Sequence, residues 1–162
     1  VPGFIQNFAA KAGIAAKAYG ENELLGWDEI RALANDPLCT IGTHTMRHHH
    51  LARLDDNALA AEFGEAHAAL ESRTSIAPRH VVYPYGYEIA VGRRETDYAC
   101  SKGYLTGVTT RHGMLFGEHL SDMTALPRIS LNGRHQNVGD VRLMLSGLTS
   151  FIAHRHAGPV TL

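Results

Sequence analysis

The chain has 162 residues, of which 44% are hydrophobic and 19% are charged, so its composition fits a globular domain and excludes a disordered chain. With 15 Lys and Arg against 16 Asp and Glu the net charge is -1, which offers no electrostatic case for binding nucleic acid or an anionic membrane. No apolar run is long enough to span a bilayer, and two cysteines are too few for a disulfide framework. We therefore treat residues 1–162 as a single domain.

The first third of the chain predicts two helices and a strand. Residues 1–20 have the weakest pattern, a possible helix that its glycines disfavour. A short helix begins at residues 26–30 and ends before Pro37, because proline cannot continue a helix. The apolar and β-branched run Leu38–Gly42 then predicts a buried strand.

The middle of the chain predicts a longer helix and a second strand. Asp55 or Asp56 can cap the helix, because a short carboxylate accepts from the free N–H groups of the first turn. The apolar positions of this helix are spaced 4, 3, 4, and they are Leu59, Phe63, Ala66 and Leu70. Residues 81–83, before Pro84, predict the strand.

The remaining pattern continues the alternation of helices and strands. A helix over 94–102 is expected to stop at Gly103, and strands are predicted over 104–110 and 129–131. One last helix is predicted from a further 4, 3, 4 spacing, formed by Val141, Leu145, Leu148 and Ile152. Alternating strands and helices favour an α/β fold with a parallel sheet or barrel.

The histidines are the most informative residues for function. There are 11 of them, and His44 and His48 directly follow the predicted strand 38–42. If this segment forms a helical turn, side chains at i and i+4 lie on one face, and two imidazoles there can converge on one cation. From spacing alone, a metal site and a solvated histidine-rich turn remain equally open.

This segment, His44-Thr45-Met46-Arg47-His48, resembles the H-[S/T]-x-x-H motif of the polysaccharide deacetylase family. The loop 82–86 is similar to that family's P-Y-G loop, in the Y-P-Y-G form of a subgroup that modifies exopolysaccharides. Further likenesses follow in family order at 27–30, 103–110 and 126–129, so the resemblance covers about residues 1–135. It implies a distorted (β/α) barrel and a metal-dependent hydrolase that removes N-acetyl groups from an N-acetylglucosamine-type polysaccharide.

The resemblance also implies roles for individual residues. His44 and His48 would bind the metal together with an Asp, and Thr45 would support them. The backbone N–H of Tyr85 would stabilise the oxyanion. The metal would activate a water molecule and polarise the acetyl carbonyl. Zn²⁺ is favoured by imidazole ligands, which also suit Co²⁺ and Ni²⁺.

Several family features have no counterpart in this chain. The first-strand motif T-F-D-D-G, which supplies the metal Asp and the base Asp, is absent, and we expect it to lie outside the chain, with Val1–Phe4 as the end of the second strand. Asp55-Asp56 is predicted as a helix cap and not as that pair. Val82 and Tyr83 stand where many members carry an Arg. The histidine general acid is not identifiable, and its candidates by residue type alone are His112, His119, His135, His154 and His156.

Two functions therefore remain open. The first is a metal-dependent polysaccharide deacetylase, whose base and third metal ligand are not in this chain. The alternative is a catalytically incomplete deacetylase-like module that binds glycan. A zincin-type protease is disfavoured, because Thr45 stands where the H-E-x-x-H motif requires its Glu base.

Overall fold

The computed structural model describes residues 2–14, 24–155 and 158–162. The chain divides into two compact units, Val1–Thr40 and Ile41–Leu162. None of the described helices combines the length and the apolar character needed to traverse a bilayer. The expectation of a single domain over 1–162 remains a prediction.

The first unit contains two helices, α1 (Pro2–Lys11) and α2 (Trp27–Ala34). The Glu29 carboxylate accepts from the backbone N–H of Gly26 at 2.7 Å and so caps α2. The helix ends before Pro37, as predicted. The expectation that Val1–Phe4 ends a strand is wrong for its described part, because residues 2–4 lie in the first turn of α1.

The predicted strand Leu38–Gly42 is also wrong. The Asp36 side chain accepts from the backbone N–H of Leu38 at 2.8 Å and turns the chain there, and Leu38 is 97% exposed. An apolar β-branched run is compatible with a strand, but the Asp-Pro turn before it competes with pairing. In the described stretch 38–43, Thr43 alone makes a bridge to the sheet, in parallel with Val81.

The second unit is built on a three-stranded parallel sheet in the order β1 (His80–Val82), β2 (Thr106–His112), β3 (Leu126–Arg128). Val82 pairs with Val108, and Val108 pairs with Leu126. The sheet is open, and all its strands point the same way, so their carboxyl ends lie at one edge. This confirms the predicted α/β class with parallel pairing.

Four helices belong to the described part of this unit: α3 (Asp56–Thr74), α4 (Arg93–Ser101), α5 (Val138–Leu145) and α6 (Leu148–His154). Short 3₁₀ turns occupy Leu51–Arg53, Gly117–Ser121 and Met123–Ala125. The main core lies between α3, α4 and the sheet, and its buried residues are Leu51, Leu59, Phe63, Val81, Tyr83, Ala90, Val91, Ala99 and Tyr104.

Two predictions near the C-terminus need correction. The strand expected at 129–131 lies instead at Leu126–Arg128, where backbone pairing with β2 decides its position. The predicted single last helix is divided into α5 and α6. The break is at Gly147, whose φ of 82° lies in the left-handed region. Its expected apolar face is largely exposed, and Met144 and Ser150 are the buried residues of these two helices.

Candidate active site

The rings of His44 and His48 lie together at the carboxyl edge of the sheet. Their centroids are 4.8 Å apart, in an edge-on arrangement. The His44 Nδ1 lies 2.6 Å from the carbonyl oxygen of Val82, so this nitrogen donates to the carbonyl. That bond selects the tautomer in which the Nε2 lone pair of His44 remains available, which is the usual arrangement of a metal-binding imidazole.

The two rings are brought together by a loop and not by the helical turn that the i, i+4 spacing predicts. Thr45 and His48 have φ of 62° and 57°, in the left-handed region, so the segment cannot be a helical turn. The Thr43 N–H donates to the His80 carbonyl at 2.8 Å and so places His44 beside β1. Positive φ at non-glycine residues is costly and persists where surrounding contacts hold it, often at functional sites.

The contact that holds this loop comes from Glu62 on α3, which is only 2% exposed. Its Oε2 accepts from the backbone N–H groups of Met46 at 3.1 Å and Arg47 at 2.8 Å. Its Oε1 faces the Arg47 guanidinium at 3.2 Å and the His49 Nδ1 at 3.4 Å. Glu62 therefore fixes the backbone between the two imidazoles.

The charge of Glu62 follows from the same contacts. Burial by itself would raise the pKa of the Glu62 carboxyl, but the hydrogen bonds from Arg47 and the charge of His49 hold the pKa below its ordinary value. Glu62 is not among the residues predicted from the sequence, although a signal exists. Glu62 shares a helical face with Leu59, Phe63 and Ala66, so it is a charged residue on an apolar face.

The Tyr-Pro-Tyr-Gly loop closes the other side of the site. Tyr85 and Gly86 have φ of 62° and 64°, and a side chain at Gly86 would place its Cβ 2.6 Å from the Thr110 nitrogen. The Thr110 hydroxyl donates to the Tyr85 carbonyl at 2.6 Å. The backbone N–H of Tyr85 makes no hydrogen bond to any of the described residues, so it is free to donate to a ligand.

These groups line one cavity of about 570 Å³. Its wall includes His44, His48, Tyr85 and Thr110, and also Arg128 at the carboxyl end of β3. Arg128 is a second residue that the sequence analysis did not assign to the site. No local pattern marks it, and it reaches the cavity because β3 pairs with β2.

The other candidates lie elsewhere. Asp55 caps α3, accepting from the Ala58 N–H at 2.8 Å, as predicted, and Asp56 faces Arg94 at 3.5 Å. His119 is buried and accepts from the Phe116 N–H at 3.0 Å, which identifies a structural histidine. The cavity lining includes none of the described candidates for the general acid, His112, His119, His135 and His154, and His156 lies outside the described residues.

The histidine pair fits a divalent metal as two ligands of an incomplete set. The rings are close, and the orientation of His44 is secured through its other nitrogen. Within residues 2–14, 24–155 and 158–162, however, no group of three His, Cys, Asp or Glu side chains is placed to hold a metal ion.

The fold and the site define an α/β protein with a histidine pair at the carboxyl edge of a parallel sheet. The chain belongs to the polysaccharide deacetylase family, whose model matches residues 5–103, more than half of the chain. No curated protein matches the chain.

The fold is similar to that of the Streptococcus pyogenes deacetylase PplD, whose structure was solved in complex with acetate. The TM-score is 0.64 at 18% sequence identity, and the match covers 74% of this chain and 50% of that one. The chain thus spans about half the length of this structural neighbour. The match confirms the expected incomplete barrel of the deacetylase type.

Proposed function

We propose that this chain carries the metal-binding and oxyanion-stabilising part of a deacetylase that removes N-acetyl groups from an N-acetylglucosamine-type polysaccharide. The observation that carries the proposal is the arrangement of His44 and His48. Their ring centroids lie 4.8 Å apart, and both residues line one cavity with Tyr85. Membership of the polysaccharide deacetylase family supports the reaction type.

In this proposal His44 and His48 hold a divalent metal, with Zn²⁺ preferred and Co²⁺ or Ni²⁺ as alternatives. When bound, such an ion would act as a Lewis acid on the acetyl carbonyl and lower the pKa of water. The Val82 carbonyl fixes the His44 ring, and Glu62 fixes the loop that carries both imidazoles. Thr45 supports them by turning the backbone between the two rings.

The chain's own contribution to the transition state is the free N–H of Tyr85. A donor aimed at the developing oxyanion is worth about 2.7–4 kcal/mol in other acyl-transfer enzymes. The strained Tyr85-Gly86 turn is held by Thr110, so the donor needs little reorganisation. The base and the third metal ligand are to be supplied by residues other than those described.

The test compares His44→Ala with His67→Ala, a histidine on α3 whose ring contacts the Tyr104 hydroxyl at 3.3 Å, outside the site. Zn²⁺ affinity is measured by titration calorimetry on the chain. Acetate release from an N-acetylglucosamine pentamer is measured on the protein expressed from its complete coding sequence.

We expect His44→Ala to weaken Zn²⁺ binding by at least about tenfold and to abolish acetate release, since loss of even supporting contacts costs about 10–100-fold in metal affinity. His67→Ala should change neither. Acetate release that survives in His44→Ala would refute the assignment.

A catalytically incomplete glycan-binding module is the second candidate. It is favoured by one observation, that no third metal ligand joins the histidine pair among the described residues. Binding of the pentamer without acetate release from the complete protein would support this alternative.

A further inference from the structure

Arg128 is an exposed cation in the wall of the cavity that contains the histidine pair. It lies at the carboxyl end of β3. Its backbone position is fixed by the sheet, because Arg128 pairs with His112 of β2 and its carbonyl accepts from the Gly113 N–H at 3.4 Å. The sheet therefore places a cationic residue at a defined point of the wall.

The Arg128 side chain differs from other arginines of this unit because it has no counter-charge. Arg47, Arg93 and Arg94 each pair with a carboxylate. Arg128 makes no side-chain hydrogen bond or ion pair with any of the described residues, and none of the described residues lining the cavity is an Asp or a Glu. An unpaired arginine is ordinary on an open surface. In the wall of a cavity, however, its positive charge acts on whatever ligand enters.

A second unsatisfied polar group lies in the same wall. Thr43 is 2% exposed, and its hydroxyl is buried without a hydrogen-bond partner in the part of the chain that the structure describes. A buried polar group without a partner costs free energy, which a ligand that supplies the partner recovers. The Thr43 hydroxyl and the Arg128 guanidinium can both donate to ligand oxygens. The wall thus favours a ligand that is rich in acceptors and negatively charged.

We propose that Arg128 makes the cavity selective for an N-acetylated sugar that also carries an anionic group, either a carboxylate or a phosphate ester. This inference rests on the proposed function and adds to it the charge of the substrate and the residue that recognises it. The guanidinium presents its N–H donors as a planar fork, which matches the paired oxygens of a carboxylate or a phosphate. Arg128 is then a specificity-determining residue, and it takes no part in the proton transfers.

The test measures the binding of three monosaccharides by titration calorimetry at low ionic strength, using the protein expressed from its complete coding sequence. N-acetylglucosamine is the neutral probe. N-acetylmuramic acid adds a carboxylate at O3, and N-acetylglucosamine 6-phosphate adds a phosphate at O6, so the two anionic probes distinguish the source of the charge. The variants are Arg128→Gln and Arg128→Lys. The matched control is Arg134→Gln, which removes an exposed arginine that does not line the cavity.

We expect one of the anionic sugars to bind at least about tenfold more tightly than the neutral sugar, since charge-assisted hydrogen bonds are the stronger ones. Arg128→Gln should reduce this preference to within about twofold and leave the neutral sugar unchanged. Arg128→Lys should keep only part of the preference, because it retains the charge and loses the fork. Arg134→Gln should keep all of it. Circular dichroism shows whether each variant is folded, and Arg128→Met replaces Arg128→Gln if the latter does not fold.

The inference is overturned if neither anionic sugar binds better than the neutral one, which is the result expected if a carboxylate of the protein already pairs with Arg128. A preference that persists in Arg128→Gln overturns it too, because the anion is then bound by another group, such as a metal ion. Failure of the proposed function gives a different result. In that case acetate release survives in His44→Ala, whereas the contrast between Arg128→Gln and Arg134→Gln persists.

Discussion

Replacing Glu62 by Gln tests the claim that one buried carboxylate holds the histidine loop. The carboxylate makes four polar contacts, two from each oxygen, all between 2.8 and 3.4 Å. Gln has the same size but only one carbonyl oxygen. If that oxygen still accepts from the N–H groups of Met46 and Arg47, the NH₂ group of the amide must face the Arg47 guanidinium and His49. The NH₂ group is itself a donor, so it cannot replace the carboxylate oxygen as the acceptor for the guanidinium.

The expected loss follows from these contacts. A hydrogen bond to a charged group is worth about 1.5–3 kcal/mol. Because the substituted amide would retain half of the contacts, we expect Glu62→Gln to lower the free energy of unfolding by about 2–3 kcal/mol. The assay is urea unfolding followed by circular dichroism at pH 7.

Glu65→Gln is the matched control. Glu65 lies on the same helix and pairs with the same guanidinium, but its side chain is 47% exposed. An ion pair in solvent contributes about 0–1 kcal/mol. The difference between the two variants therefore isolates the effect of burial and of the backbone N–H contacts.

The pH dependence gives an independent check. The pKa of Glu62 is lowered in the folded chain, so its contribution is complete above the ordinary pKa of Glu, about 4.3, and is lost as the pH falls through the lower folded value. The difference in unfolding free energy between the parent and Glu62→Gln should shrink on going from pH 7 to acid. A difference that stays constant with pH, or one no larger than that of Glu65→Gln, would refute the reasoning.

Three further substitutions, and one control, can be followed by the same unfolding assay. Gly86→Ala should lower the free energy of unfolding by about 1–3 kcal/mol, because φ is 64° and the new Cβ would lie 2.6 Å from a backbone nitrogen. The control, Gly64→Ala, lies inside α3 with no atom within 4 Å of the new Cβ, and it should raise the free energy of unfolding by about 0.5–1 kcal/mol. Equal effects at the two glycines would contradict this. Asp55→Ala should cost about 1 kcal/mol through loss of the cap on α3, and no change would show that the cap is dispensable. Tyr83→Phe should cost about 1–3 kcal/mol, because the buried hydroxyl donates to the Thr124 carbonyl at 2.7 Å, and a neutral result would mean that water replaces this donor.

Some of the fold could be predicted because its signals are local. The N-cap at Asp55, the apolar spacing of α3 and the stop at Gly103 depend on neighbouring residues only, and all three are found. The last helix failed for a local reason too. The apolar spacing on which it was based takes no account of Gly147, whose left-handed backbone breaks the helix.

For the histidine pair, the residues were predicted from the sequence, but the structural reason for their proximity was not. The sequence indicated His44 and His48 by spacing and by family resemblance. Their proximity, however, arises from a loop with left-handed residues and not from a helical turn. The bond from His44 to Val82 spans 38 residues along the chain, so no local pattern contains it.

By itself, the sequence determined the class of fold and the family and indicated His44 and His48 as candidate site residues, because periodicity, caps and short motifs are properties of adjacent residues. Tertiary structure alone decided that Glu62 holds the histidine loop, that Arg128 joins the cavity and that the ring of Tyr87 lies beside that of Tyr85. The physical reason is that these contacts depend on strand pairing and burial. Both bring together side chains whose separation in sequence carries no information about their distance in space.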